Sequence, residues 1–366
     1  MKINQLTFLR FVAAVIVVIF HYGDNTWFTR MSPALQAGPP MVTFFFVLSG
    51  FIMAIAYGQR GELEKGRYWV ARFARIAPMY YLALILTVIA IGQKPNSMDL
   101  ILQGSFLHAW FPQHVRGLNN PSWAVSVEMF FYLIFPYLLS FINREFSVPK
   151  AIVLAVIFWG ASMIVLGDLR NYYNLQDPRD PALQAIITYF PLSHLSSFVL
   201  GMVGGLAYMH YLSQMRISSL LSASLVIFAF GMVAAILHYH TKIRILAKLN
   251  FSYGLLSLLF LLLILTLAID RSFLSGILSN KILVFLGELG YSIYILQNPA
   301  HRLYEKYVTP IILLTSADHF YLYLLLLIVI SVGAYLLIEK PMRYKLRLLA
   351  DHYLFNLKAE IPEHAS

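Results

Sequence analysis

Ten apolar segments of 17 to 21 residues recur along this 366-residue chain, near 6–23, 41–57, 76–93, 122–142, 151–167, 191–210, 219–237, 250–269, 282–301 and 319–338. Each is long enough to cross about 30 Å of hydrocarbon. A backbone in lipid has no water to satisfy its N–H and C=O groups, so such runs must be helices or the strands of a closed barrel. The alternation of apolar and polar residues that a barrel wall needs is absent. The expected fold is therefore all-α, a polytopic membrane protein of about ten transmembrane helices.

Only 12% of the residues are charged, against roughly 25% in soluble domains, and no stretch is polar enough to fold as a separate soluble unit. We expect one membrane domain over 1–345 and a short cytoplasmic tail over 346–366. The formal charge is +10, but the cations lie between apolar runs, which favours membrane lipid headgroups as partners and argues against nucleic acid. With no cysteine, disulfides, thiolate metal sites and a cysteine nucleophile are excluded, and no metal site is expected. The opening MKINQLTFLRFVAAVIVVIFHYG lacks a small-residue cleavage site and reads as a retained first span.

Placing both termini in the cytoplasm puts 17 of the 27 Lys and Arg residues on the inner side, as the positive-inside rule prefers. The rival arrangement makes 100–115 an eleventh span and weakens that bias. One feature runs against the ten-span topology. His238, His240, Lys242, Arg244 and Lys248 form a basic loop on the outer side. No internal repeat is visible, which disfavours a transporter built from inverted halves.

An ionisable side chain inside a span is costly unless paired or hydrated, so each is a functional candidate. Arg10 and His21 are 11 residues apart, close to three full turns, and share one face with roughly 16 Å between their levels. Arg10 belongs at the inner boundary and His21 in the outer half. Glu128, in NNPSWAVSVEMFFYLIFP, is expected at a depth similar to His21, and a carboxylate paired with an imidazole would explain how both are buried. Arg72 and Arg75 in WVARFARIAP share a face and with Arg10 suit an inner anion site, the alternative being topology anchors. Ser49 and Gly50, like Gly201 and Gly205 in FVLGMVGG, read as places of close helix packing. Trp123 and Ser126 are the substrate-binding candidates, Trp123 being either an interfacial aromatic or a stacking platform for a sugar. His194, His210, His301 and Glu288 lie near span ends and are given no role.

In chain order, LRFVAAVIVVIFH, FFVLSGF, RFARIAPMYYL, SWAVSVE with FYLIFP, FVLGMVGG, LGELGYSIYIL and EKP resemble the membrane acyltransferase-3 family. Its members are bacterial enzymes that O-acylate cell-surface carbohydrates and some secondary metabolites. The resemblance runs along nearly the whole chain and carries the family's functional positions onto Arg10, His21, Arg72, Arg75 and Glu128. No appended esterase-like domain is expected after the tenth span. Many members place a histidine after the segment matching GYSIYIL, where this chain has Gln297, which hydrogen-bonds but does not titrate near neutral pH.

The resemblance implies a multi-pass enzyme of the bacterial cytoplasmic membrane. It would move an acyl group, expected to be acetyl, from cytoplasmic acyl-CoA to a hydroxyl of a cell-surface or exported glycan. Arg10, Arg72 and Arg75 would hold the donor's phosphates. His21 would act as general base or acyl carrier, with Glu128 orienting it. Acetyl-CoA is a substrate on this reading, and no resident cofactor is expected. The other class considered is a transporter or flippase for an anionic or lipid-linked sugar, using the same arginines as a path. The topology predicts that cysteines introduced in loops 94–121 and 168–190 react with an impermeant reagent from outside the cell; labelling of 58–75 from that side would overturn it.

Overall fold

The computed structural model describes residues 3–58, 63–176, 180–215, 217–247 and 254–355. Every regular element among them is helical. We label the main helices α1 (Gln5–Tyr22), α2 (Gly38–Tyr57), α3 (Lys65–Ile91), α4 (Trp123–Glu145), α5 (Val148–Gln176), α6 (Leu195–Ala207), α7 (Ser219–Ala247), α8 (Ser257–Ile269), α9 (Lys281–Tyr307), α10 (Ser316–Ala334) and α11 (Lys340–Ala350).

Each of the ten apolar segments overlaps one of these helices, residues 250–253 of the eighth lying outside the described residues, and eight helical stretches among the described residues are long and apolar enough to cross a membrane. The other two depart from the sequence criterion in opposite ways. α8 is apolar but covers only 13 residues. α9 has 27 residues, but polar groups such as Ser292, Gln297 and Asn298 lie along it, all of them buried. A helix enclosed by other helices need not be apolar all round, which is why α9 reads weakly by hydropathy.

The rival eleventh span is not formed. Residues 97–104 make an eight-residue helix, capped by Asn96, whose Oδ1 accepts from the Met98 amide at 2.8 Å. A short turn at His108–Trp110 follows. Eight helical residues reach only about 12 Å, too little to cross. The expected basic loop is also corrected: α7 runs on through 238–247, so His238 is helical and its Nδ1 lies 2.9 Å from the Ser32 hydroxyl. Lys248 lies outside the described residues. The boundary drawn at 345 falls inside α11, which packs on α3.

Two helix pairs form the walls around the interior: α2 lies along α6, and α1 along α9. Small residues set how close they come. A methyl group on Gly50 would lie on the Phe198 carbonyl oxygen, and one on Gly201 on the Val47 carbonyl; Gly287 meets the backbone of Thr7 in the same way. In lipid the hydrophobic effect gives helices little reason to associate, so backbone-to-backbone contact and dispersion supply the attraction. The reading of Gly50, Gly201 and Gly205 as packing residues agrees with this geometry, Gly205 resting against Phe51.

Gly201→Ala should lower stability by about 1–3 kcal/mol, the usual cost of overpacking, read as a lower unfolding temperature in detergent. Gly231→Ala, where an added methyl meets nothing within 4 Å, should be neutral or slightly stabilising, as Ala is the better helix former.

Candidate functional site

A series of neighbouring cavities that share lining residues lies in the interior. Near the α3 and α11 ends, two wide spaces of about 610 and 370 Å³ are lined on one side by Tyr57, Arg67, Tyr68 and Arg347 and on the other by Arg10, Arg75, Glu339 and Arg343. A narrow central cavity of about 100 Å³, which shares Arg72 with one of them and Arg10 and Arg75 with the other, is bounded by Arg10, Ser49, Arg72, Arg75, Glu128 and Tyr132. Beyond it lies an end cavity of about 130 Å³ that holds His21, Trp123, Tyr189 and His194. Val42 and Tyr294 line both of the last two and form the waist between them.

The structure thus brings Arg10, Arg72 and Arg75 together, as expected, and adds to them Glu128, which the sequence placed beside His21 instead. Arg343 and Arg347, to which the sequence analysis gave no role, join them one helical turn apart on α11. Among the described residues, none of the five arginines has a carboxylate within ion-pairing distance. Arg72 is held in place without using its full hydrogen-bonding capacity. Its guanidinium sits 5.6 Å from the Tyr57 ring and 5.7 Å from that of Tyr132. One Nη donates to Met53 Sδ at 3.8 Å, while its buried Nε has no partner. Aromatic faces stabilise a cation and leave its N–H edge free. A cluster of unpaired guanidinium groups around a cavity is a site for an anion, and its forked geometry suits phosphate.

The expected His21–Glu128 pair does not form. Glu128 Oε1 accepts from the Tyr132 hydroxyl at 2.5 Å and from Ser49 at 3.3 Å, inside the arginine cavity. His21 lies across the waist, with its Nδ1 2.8 Å from Gln297 Oε1. The Gln297 amide cannot be the other way round, because its Nε2 donates to the Tyr294 carbonyl at 2.8 Å. An amide oxygen only accepts, so His21 Nδ1 carries the proton and Nε2 keeps its lone pair. That is the tautomer a general base or nucleophile requires. The family departure at Gln297 therefore falls on the residue that orients the histidine.

Helix α9 is locally opened around Gln297. Pro299 has no N–H for the Ile295 carbonyl four residues back, and that carbonyl instead accepts from Asn119 Nδ2 at 3.0 Å. The Tyr294 hydroxyl donates to the Pro121 carbonyl at 3.0 Å, and Tyr323 donates to the Gln297 carbonyl at 2.8 Å. These bonds tie the histidine's partner to the loop before α4 and to α10.

Ser126 is not available to a substrate. It is buried and its hydroxyl donates to the Phe106 carbonyl at 2.5 Å, fastening α4 to the preceding loop. A nearby serine and histidine, Ser122 and His108, lie 3.0 Å apart, but the serine proton goes to the Asn119 carbonyl at 2.6 Å. His108 Nε2 must then donate, so the histidine is no base for that serine. Burial pushes His108 down to about 4, keeping it neutral. Trp123 lines the end cavity, edge-on to Tyr189 at 5.0 Å.

A family model described as an acyltransferase domain matches residues 3–338. A Staphylococcus aureus protein bearing the name "Putative O-acetyltransferase" is 24% identical over 311 residues, 78% of this chain and 48% of its own. The peptidoglycan O-acetyltransferase OatA of Listeria monocytogenes is 25% identical over 83% of this chain and 50% of its own. The acyltransferase MdmB of Streptomyces mycarofaciens is 29% identical over 37% of this chain and 38% of its own. This chain spans about half the length of the first two relatives. No solved structure matches it.

Gln297→Leu should remove the acceptor for His21 Nδ1 and cut turnover by roughly 10² or more, general-base assistance being worth about 10²–10⁴. Gln297→His, which can accept through a ring nitrogen, should retain most activity. Equal rates in the two variants would show that the Nδ1 contact does not matter.

Proposed function

The chain belongs to the acyltransferase family whose domain it carries over residues 3–338, and on that premise we propose that it transfers an acetyl group from cytoplasmic acetyl-CoA to a glycan hydroxyl at the outer face of the bacterial cytoplasmic membrane. The acyltransferase domain favours this reading over a transporter. The observation that carries the proposal is the succession of neighbouring cavities, from arginines without an ion-pairing carboxylate at one end to a histidine with a free Nε2 at the other.

The wide cavities around Arg72, Arg75, Arg343 and Arg347 receive the donor's phosphates. Its slender pantetheine arm enters the narrow central cavity. Both contacts of Glu128 fall on Oε1, and Oε2 accepts an amide N–H of the arm. The continuous helix α1 separates Arg10 from His21 by roughly 16 Å, a span an extended arm can bridge, so the thioester reaches the waist at Val42 and Tyr294.

His21 Nε2 takes the proton of the acceptor hydroxyl as its oxygen attacks the thioester carbonyl. The tetrahedral centre then collapses, the C–S bond breaks, and the leaving thiolate takes the proton back from the imidazolium. Gln297 holds Nδ1–H throughout, so the imidazole neither rotates nor changes tautomer between the two transfers. A neutral amide orients His21 without adding the charge of a carboxylate. Glycans of the envelope as acceptors have support in the Listeria relative's name.

Purified protein supplied with acetyl-CoA and envelope glycan should consume the thioester and acetylate the glycan. Arg72→Ala should raise the donor KM by tenfold or more and leave the acceptor KM near its original value, since phosphate pairing is shared by ground and transition states. His21→Ala should lose on the order of 10²–10⁴ in rate with donor binding intact. Unchanged donor KM in Arg72→Ala would return the arginines to topology anchors, and normal turnover in His21→Ala would remove the base.

A further inference from the structure

The end cavity contains a second histidine that the reaction as described does not use. His194 stands at the start of α6 and is 2% exposed. Its Nε2 lies 3.0 Å from the Thr188 carbonyl oxygen, which can only accept, so Nε2 carries the proton. Nδ1 is then a bare acceptor, buried and without a partner among the described residues. Phe46 and Trp123 pack against the ring, with centroids 5.0 and 5.3 Å away. They hold it rigidly and offer no hydrogen to Nδ1.

Burying a hydrogen-bond acceptor with nothing to accept is costly, and native structures seldom do so without a purpose. Here the orphaned nitrogen belongs to a residue lining the same cavity as His21. The cavity therefore holds two neutral imidazoles, each fixed in one tautomer by a separate amide or carbonyl partner. The lone pairs left over are His21 Nε2 and His194 Nδ1. Trp123, which also packs against Tyr189 at 5.0 Å, contributes an aromatic wall to that cavity.

We propose that His194 is an acceptor-binding residue, and that this enzyme selects a sugar ring carrying a second hydrogen-bond donor, a hydroxyl or an amide N–H, beside the hydroxyl it acylates. This rests on the acyl-transfer reading above. The reacting hydroxyl is held by His21 and the neighbouring donor by His194, with the ring against Trp123. A water molecule can also donate to both nitrogens, but it has no ring to lie against Trp123 and is held less firmly at the thioester carbonyl. With Trp123, His194 thus biases the acetyl group toward glycan and away from hydrolysis. A site built to accept a hydrogen bond discriminates strongly against ligands that lack the donor, because its own buried group is then left unpaired.

The test supplies [¹⁴C]acetyl-CoA to membrane vesicles from the organism that makes the protein, which carry the natural acceptor. Label is counted in alkali-released glycan acetate and in free acetate. His194→Gln keeps a donor for the Thr188 carbonyl and loses the acceptor at Nδ1. It should shift the glycan-to-water ratio roughly tenfold or more toward water. His194→Asn, which can place a carbonyl oxygen where Nδ1 stood, should restore much of the ratio. A ratio within twofold of the parent in His194→Gln overturns the assignment and leaves the acyl-transfer reading standing. A parallel fall of both products in His194→Gln and His194→Asn shows a structural role and also overturns it. Parent vesicles that cleave no acetyl-CoA, compared with vesicles lacking the protein, overturn the acyl-transfer reading and this inference with it.

Discussion

Direct contact between helix backbones is the constraint on which the rest of this molecule depends. At Gly50, Gly201 and Gly287 no side chain intervenes between neighbouring helices, so α2 is held against α6 and α1 against α9 with little freedom to slide. Position along each pair is then fixed to a fraction of a residue. That precision is what a buried guanidinium or imidazole needs, since its partners must arrive from other helices at hydrogen-bonding distance. Gly290 extends the same contact to the backbone of Arg10 itself, so the packing that joins α1 to α9 also sets the place of a charged group.

Much of this was legible in the sequence, and the gaps have a common physical origin. The helical class followed from the backbone's need for internal hydrogen bonds in lipid. The gathering of Arg10, Arg72 and Arg75 followed from the cost of leaving ionisable groups in a span. Both arguments concern a residue and its solvent. The His21–Glu128 pair required knowing how α1 and α4 are turned toward one another. Periodicity gives a residue's face and depth on its own helix but not that relation. Tyr132, one turn along the same helix, and Ser49 on α2 took the carboxylate. The glutamine that took the histidine lies 276 residues away.

Other misses were misread signals. Arg343 and Arg347 follow the last apolar run, where cations carry little signal beyond topology, yet the helix continues and turns them onto the cavities. His194 was passed over because it lies near the end of a span, where hydration is cheap; the aromatic rings of Phe46 and Trp123 cover it instead. Asn119 and Pro299 were separated by 180 residues and by the convention that a proline in a helix is a kink. Their joint role, one removing a donor and the other supplying its replacement, requires knowing that the loop before α4 passes over α9.

A protein with a succession of cavities endangers the membrane that contains it, because whatever admits a slender organic chain also threatens to conduct protons and sodium. The five arginines bear on that hazard. The five guanidinium groups outnumber the three carboxylates, Glu128, Glu288 and Glu339, that line the central cavity and the wide cavity beside it, and a net positive charge in a confined passage is an electrostatic barrier to cations. Val42 and Tyr294, which line both the central and the end cavity, narrow the space between them. The same charges that suit an anion therefore disfavour the entry of the ions whose gradients the cell must keep.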